Sequence, residues 1–289
     1  MSLSGLLPKV LFALVFGYIA VATGAWALQD KLIYYPDPTP AGDPKDDRMQ
    51  AVSFTAADGN DIAAWYGAAQ QGCPTFIFFH GNASHIAKDI WRYDRVLTTG
   101  AGVLAVAWPG YAGSTGKPGE APFYSAADAS AVWLKAEGVA PGDTIIHGNS
   151  IGTGPATRLA STGDFGALIL EAPYFSMLDL VGKKAPMLPI GVILKSTFRS
   201  DQWIQDVHSP VLMVHGTGDS VIPQKQSRRL FELANDPKIY ASFEQSEHST
   251  LVRDGLYEKA VWTFLDEYWA QPRGSSCFSA SSTQSETTP

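Results

Sequence analysis

Apolar and polar positions along the chain fall into a repeating order. A run of nineteen residues without a charge, "VLFALVFGYIAVATGAWAL" (10–28), comes first. At 1.5 Å per residue it makes roughly 28 Å of helix, close to the hydrocarbon thickness of a bilayer. A core helix of that length would show a polar stripe, and this run shows none. It predicts an N-terminal transmembrane helix within residues 1–29. The competing expectation is a cleaved signal peptide, with Lys9 as its basic flank and "AWA" (Ala25 to Ala27) as its cleavage site.

Beyond a Pro-rich linker, "AVSFTAADGNDIAAWYGAA" gives two strand-like runs about the turn Asp58-Gly59-Asn60, an antiparallel hairpin. "TFIFF" (75–79) is apolar throughout, as a strand buried on both faces should be. A helical pattern follows over 85–99, then strand "VLAVAW" (103–108), helix "YSAADASAVWLKAEG" and strand "DTIIHG". A helix from Ile151 to about Ser161, strand "ALILEA" (167–172) and strand "PVLMVHG" (210–216) come next. Helix "QKQSRRLFELAN", strand "KIYASFEQ" and helix "GLYEKAVWTFLDEYW" close the series. Strands alternating with helices indicate a mostly parallel eight-stranded sheet covered on both faces, an α/β fold.

Composition narrows this picture. With 289 residues, 45% of them apolar, the chain can build one large domain, here expected over 30–272. A net charge of −7 with no basic stripe argues against nucleic acid as a partner. Lys9 ahead of the apolar run leans faintly towards N-terminus in, domain outside the cytoplasm. Cys73 and Cys277, far apart in sequence, are expected to build neither a disulfide framework nor a zinc site. The Ser/Thr-rich segment 273–289 reads as a disordered tail.

Chemistry concentrates in "IIHGNSIGTGPA" (145–156), where Ser150 stands between Gly148 and Gly152 at the junction of a strand and a helix. That context fits a nucleophile elbow, in which flanking glycines leave room for backbone close to a serine held on a strained turn. A serine needs a base to take its proton and an acid to hold that base. In such folds the acid and then the histidine follow the serine along the chain. Asp219 in "HGTGDSVIP" and His248 in "SEHSTL" satisfy that order. Glu171, which ends the strand after the elbow, remains a rival acid. His80, His85, His147, His208 and His215 all precede Asp219 and are expected to be structural. None lies in an H-E-x-x-H spacing, so neither a metal nor a cofactor is expected. Two backbone N–H groups must face the oxyanion, those of Ile151 and, from the loop "FFHGNASH", Asn82.

The set "HGNA", "PGYAGSTGKPGE", "GNSIGTG", "APYFS", "HGTGDSVIP" and "EHS", in this order, resembles the α/β-hydrolase superfamily over about residues 30 to 270. It is most similar to the membrane-anchored abhydrolase-domain branch, with its bud-emergence-type fungal proteins and its animal palmitoyl-protein thioesterases and lysophospholipases. The resemblance implies Ser150, Asp219 and His248 as triad, Asn82 and Ile151 as oxyanion donors, and an N-terminal anchor followed by a "LIYYP"-like segment, here Leu32 to Pro36. Trp108-Pro109-Gly110 departs from the pattern, since many relatives carry an Asp or Tyr and an Arg there. The change is expected to alter loop packing without touching the chemistry.

A cap is expected at about 173–209, short enough to leave an acyl pocket open to bulky or membrane-borne substrates. The expectation is a serine hydrolase that cleaves esters or thioesters of lipids or acylated proteins at a membrane surface. A serine peptidase and a non-catalytic binding protein on the same scaffold are the alternatives.

Overall fold

The expected elements form along the chain and their strands join in one sheet. In the computed structural model, which describes residues 3–279, the N-terminal run is a single helix, α1 (Leu3–Ile33). Its stretch Leu7–Ile33, with mean hydropathy 2.0 over its most apolar window, is long and apolar enough to cross a membrane. Leu11, Phe12, Leu14 and Phe16 on it are exposed, so the domain does not cover it.

Strands β1 (Gln50–Thr55) and β2 (Asp61–Gly67) make the expected antiparallel hairpin, with Gly59 at φ 84° in the turn. Then come β3 (Thr75–Phe79), β4 (Gly102–Val106), β5 (Thr144–Asn149), β6 (Ala167–Glu171), β7 (Val211–Gly216) and β8 (Lys238–Phe243). The sheet order is β1-β2-β4-β3-β5-β6-β7-β8, antiparallel as far as β4 and parallel beyond it. Every residue of β3, β4, β6 and β7 is buried, which is why these strands read as continuous apolar runs.

Helices α2 (Ile90–Thr98), α3 (Glu120–Ala136) and α4 (Thr153–Ala160) connect the strands. Three short helices, α5 (Met177–Lys184), α6 (Ile190–Ile193) and α7 (Ser200–Trp203), fill the connection from β6 to β7 where the cap was expected. Helix α8 (Lys225–Leu233) and a last helical stretch at 257–270 complete the fold. From β3 the chain crosses to β4 on one side, and β5 pairs on β3's other side. This reversal opens a crevice at the strands' carboxyl ends, where such sheets bind ligands.

Two expectations need correction. Cys73 and Cys277 are bonded to each other, with Cα atoms 5.5 Å apart across 204 residues of sequence. The supposed tail is also ordered as far as Ser279, while 280–289 lie outside the described residues. Phe278 is fully buried, stacked on Trp262 at 5.6 Å and edge-on to Trp269. Ser275 Oγ donates to the Gly72 carbonyl at 2.8 Å, next to Cys73. One aromatic residue in a polar segment thus supplies the burial that brings the two sulfurs together.

Closing so long a loop removes roughly 5 kcal/mol of unfolded-chain entropy in the simplest treatment. Cys277→Ser should lower the thermal midpoint of the isolated domain by roughly 10 °C. An unchanged midpoint in calorimetry would show that the bridge contributes nothing.

Candidate active site

Strand β5 ends at Asn149, and the next residue, Ser150, has φ 52°, left-handed for a side chain that rarely adopts it. A single helical turn, Ser150–Gly152, then leads into α4. The flanking glycines answer to crowding rather than to unusual φ. A Cβ on Gly148 would lie 2.6 Å from the Gly152 carbonyl oxygen, and one on Gly152 would strike the Phe79 carbonyl. Strand β3 and the elbow therefore touch backbone to backbone. The strain at Ser150 turns its side chain off the end of the sheet.

The loops after β7 and β8 meet in the same way. A Cβ on Gly216 would strike the Ser246 carbonyl, while the Gly218 N–H donates to that carbonyl at 3.0 Å. This contact sets Asp219 beside His248. His248 Nδ1 donates to Asp219 Oδ2 at 2.6 Å, and Ser150 Oγ donates to His248 Nε2 at 2.8 Å. Asp219 Oδ1 accepts the N–H groups of Val221 and Ile222, both at 2.8 Å. Burial opposes the charge on Asp219. Hydrogen bonds from His215, His248 and the Ile222 amide outweigh that and hold its carboxyl well below the usual carboxylate range.

His215 was expected to be only structural, and its contact with the acid was missed. Its Nε2 lies 2.8 Å from the Ile222 carbonyl, which can only accept, so that nitrogen carries the proton. The same N–H reaches Asp219 Oδ2 at 3.1 Å. The signal was its position four residues before Asp219 at the end of an apolar strand.

The rival acid is engaged elsewhere. Glu171 Oε2 accepts from Arg92 Nη1 at 2.5 Å, and His147 Nε2 stands 3.4 Å from the same oxygen. Burial works against the Glu171 charge, but the guanidinium beside it prevails and brings the carboxyl to about 2. Asp219, rather than Glu171, touches His248.

The loop after β3 brings Asn82 to the elbow. A Cβ on Gly81 would lie 2.7 Å from Asn149 Oδ1, so this loop too packs tightly on β5. The Asn82 side chain has partners that its sequence context did not suggest. Its Nδ2 donates to the Ile33 carbonyl at 2.5 Å, and its Oδ1 accepts from the Tyr35 N–H at 3.1 Å and the Tyr111 hydroxyl at 2.9 Å. Asn82, Ser150, Ile151 and His248 line one cavity of about 630 Å3. Its apolar wall comes from Leu32 and Ile33 at the end of α1, from Tyr35 just past it, and from Met177, Leu180 and Val181 of α5.

The departure at Trp108 also finds its place. The fully buried indole stacks on Phe123 at 4.4 Å, and its Nε1 donates to the His80 carbonyl at 2.9 Å. His80 Nδ1 donates to the Gly81 carbonyl at 2.8 Å, so His80 and Trp108 together hold the loop that carries Asn82. Burial lowers His80 from 6.5 to about 4.

That shift sets a pH dependence. Between pH 6.5 and about 4 the unfolded chain takes up the proton that folded His80 refuses, so His80's contribution is complete above 6.5 and lost towards 4. Acidification over this window should lower the melting midpoint less steeply in His80→Gln than in the native protein. Equal slopes in calorimetry would remove His80 from the account.

Comparison with known proteins agrees with this architecture. Residues 76–273 match the profile of the alpha/beta hydrolase family. A Mycobacterium tuberculosis protein is 30% identical over 254 residues, covering 86% of this chain and 90% of its own length. Human alpha/beta hydrolase domain-containing protein 17B is 28% identical over 231 residues and 76% of each chain. Among solved structures, the Pyrococcus furiosus esterase Pf2001 superposes with a TM-score of 0.64 at 18% identity, over 81% of this chain and 99% of its own. Matched over most of its length by both the profile and these relatives, the chain belongs to the alpha/beta hydrolase family, in its abhydrolase-domain branch.

Proposed function

We propose that the protein is a serine hydrolase that cleaves carboxylic esters or thioesters through an acyl-enzyme, acting on acyl lipids or S-acylated proteins at a membrane surface. The observation that carries this reading is the continuous hydrogen-bonded series from Ser150 through His248 to Asp219. Ser150 Oγ attacks the acyl carbon as His248 Nε2 takes its proton, and Asp219 holds the imidazole in the required tautomer. Backbone N–H groups of Ile151 and Asn82 receive the developing oxyanion. The protonated His248 passes its proton to the departing alcohol or thiol, and a water activated by His248 releases the acid.

The cavity volume and its apolar wall suit an acyl chain of moderate length. Helix α1 serves as a single membrane anchor. The Cys73–Cys277 bridge supports an orientation with the domain in an oxidising, extracytoplasmic compartment, as Lys9 also suggests.

A fluorophosphonate probe should label the native domain and leave Ser150→Ala and His248→Ala unlabelled. Turnover of a p-nitrophenyl ester should fall by roughly 10⁴-fold or more in each variant. Unchanged turnover in Ser150→Ala would sink the covalent mechanism.

A further inference from the structure

The cap carries ten residues without a charge, "APMLPIGVIL" (185–194), between Lys183-Lys184 and Lys195. Met187 and Val192 within it are 82% and 86% exposed, a large apolar exposure for so short a segment. This segment does not face open solvent at random. Pro189 and Ile193 share an apolar cleft with Tyr18, Ala22 and Trp26 of α1. A buried side chain fixes the two elements together. Gln29 Nε2 donates to the Ile193 carbonyl at 2.9 Å, and Gln29 Oε1 accepts the Lys195 N–H at 2.7 Å. Gln29 Nε2 also donates to the Trp26 carbonyl at 2.9 Å, so one amide bonded to α1 and, through both its ends, to cap backbone sets the distance and the orientation of the cap against the helix.

The depth follows from the helix. Tyr18 to Trp26 spans about 12 Å of axis and runs from the middle of the uncharged run 10–28 towards its end. Lys195 Nζ sits 4.5 Å from the centre of the Trp26 ring and 3.9 Å from Asp30. Tryptophan and lysine are the side chains that settle at headgroup level. With Trp26 and Lys195 at that level, Pro189 and Ile193 lie alongside the hydrocarbon-facing turns below it. Leu32 and Ile33, which line the cavity of Ser150, come nearly two turns above it, and Tyr35, also in that lining, follows just past the end of α1.

From this we infer that the cap segment 185–194 is a second membrane element, a short apolar loop embedded in the leaflet into which α1 runs, and that the active-site cavity opens just above headgroup level to take its acyl substrate directly from the bilayer. The bilayer is the occupant that the placement selects, because the loop is fixed beside the part of α1 that is built to be immersed. The lysines on either side of the uncharged run match the anionic headgroups of such a surface. The inference rests on α1 crossing the membrane and refines where the proposed substrate is found.

The test uses the full chain in phosphatidylcholine–phosphatidylglycerol vesicles. Both cysteines are committed to the bridge, so single reporter cysteines can carry a fluorophore at Met187→Cys, Val192→Cys, Leu14→Cys or Val132→Cys. Leu14 reports the anchor, and Val132 on α3 is an exposed position in the domain body. Labels at 187 and 192 should behave like that at 14, quenched by acyl-chain doxyl lipid and shielded from iodide, while 132 stays open to iodide. Quenching at 14 with iodide access at 187 and 192 would overturn the inference and leave the anchor standing. Iodide access at 14 as well would overturn both. Shielding of 187 and 192 from both quenchers, in a particle of two chains, would assign the face to a second copy and also overturn it. Met187→Asp combined with Val192→Asp should reduce turnover of a vesicle-borne acyl ester roughly tenfold and leave a soluble short-chain ester unaffected. Equal effects on the two substrates would count against the inference.

Discussion

Backbone pressed against backbone at the carboxyl ends of β3 and β5 is the constraint on which the site depends. Gly152 lies so near the Phe79 carbonyl that no side chain fits, and Gly148 is closed off by the first turn after the elbow. The chain accepts a left-handed Ser150 because its neighbours on both sides are immobilised by this contact. The contact exists because β3 and β5 are adjacent and parallel, with Phe79 registered to Gly148. A serine raised above the sheet therefore follows from strand order as much as from the local motif.

Two carboxylates end up buried near that serine, and the fold separates their roles by what it sets beside each. Asp219 receives two backbone N–H groups and two histidines, so its charge is compensated by oriented dipoles and remains available to hold His248. Glu171 faces the fixed positive charge of Arg92, and the pair neutralises itself at the cavity wall. An arginine on α2 thus engages the Glu171 carboxylate, which has no bond to His248 among the described residues. His215, through its carbonyl partner at Ile222, keeps its proton directed towards the acid.

The N-terminal segment is joined to the site by hydrogen bonds. Asn82 grips the Ile33 carbonyl and the Tyr35 N–H, so one side chain of the loop after β3 reads the backbone where α1 ends. Gln29, one turn earlier, does the same for the cap. Between them these two amides fix the loop after β3 and the cap segment around Ile193 to the helix.

The sheet, its opening hairpin, the elbow and the chain order of Ser150, Asp219 and His248 were legible in the sequence, because each rests on local periodicity or on turn residues a few positions apart. Helix ends moved by a few residues, as at α3, which begins at Glu120 where that carboxylate accepts the N–H groups of Thr197 and Phe198 from the cap. What the sequence hid depended on partners distant along the chain. Cys73 meets Cys277 only because Phe278 finds a place between Trp262 and Trp269, and composition alone made that segment look unfolded. The amides of Asn82 and Gln29 could bond almost anything, and only tertiary placement decided that they bond the ends of α1 and the cap. Backbone preference and apolar period are written residue by residue, whereas the choice among many possible hydrogen-bond partners is made when packing leaves a buried polar atom only one.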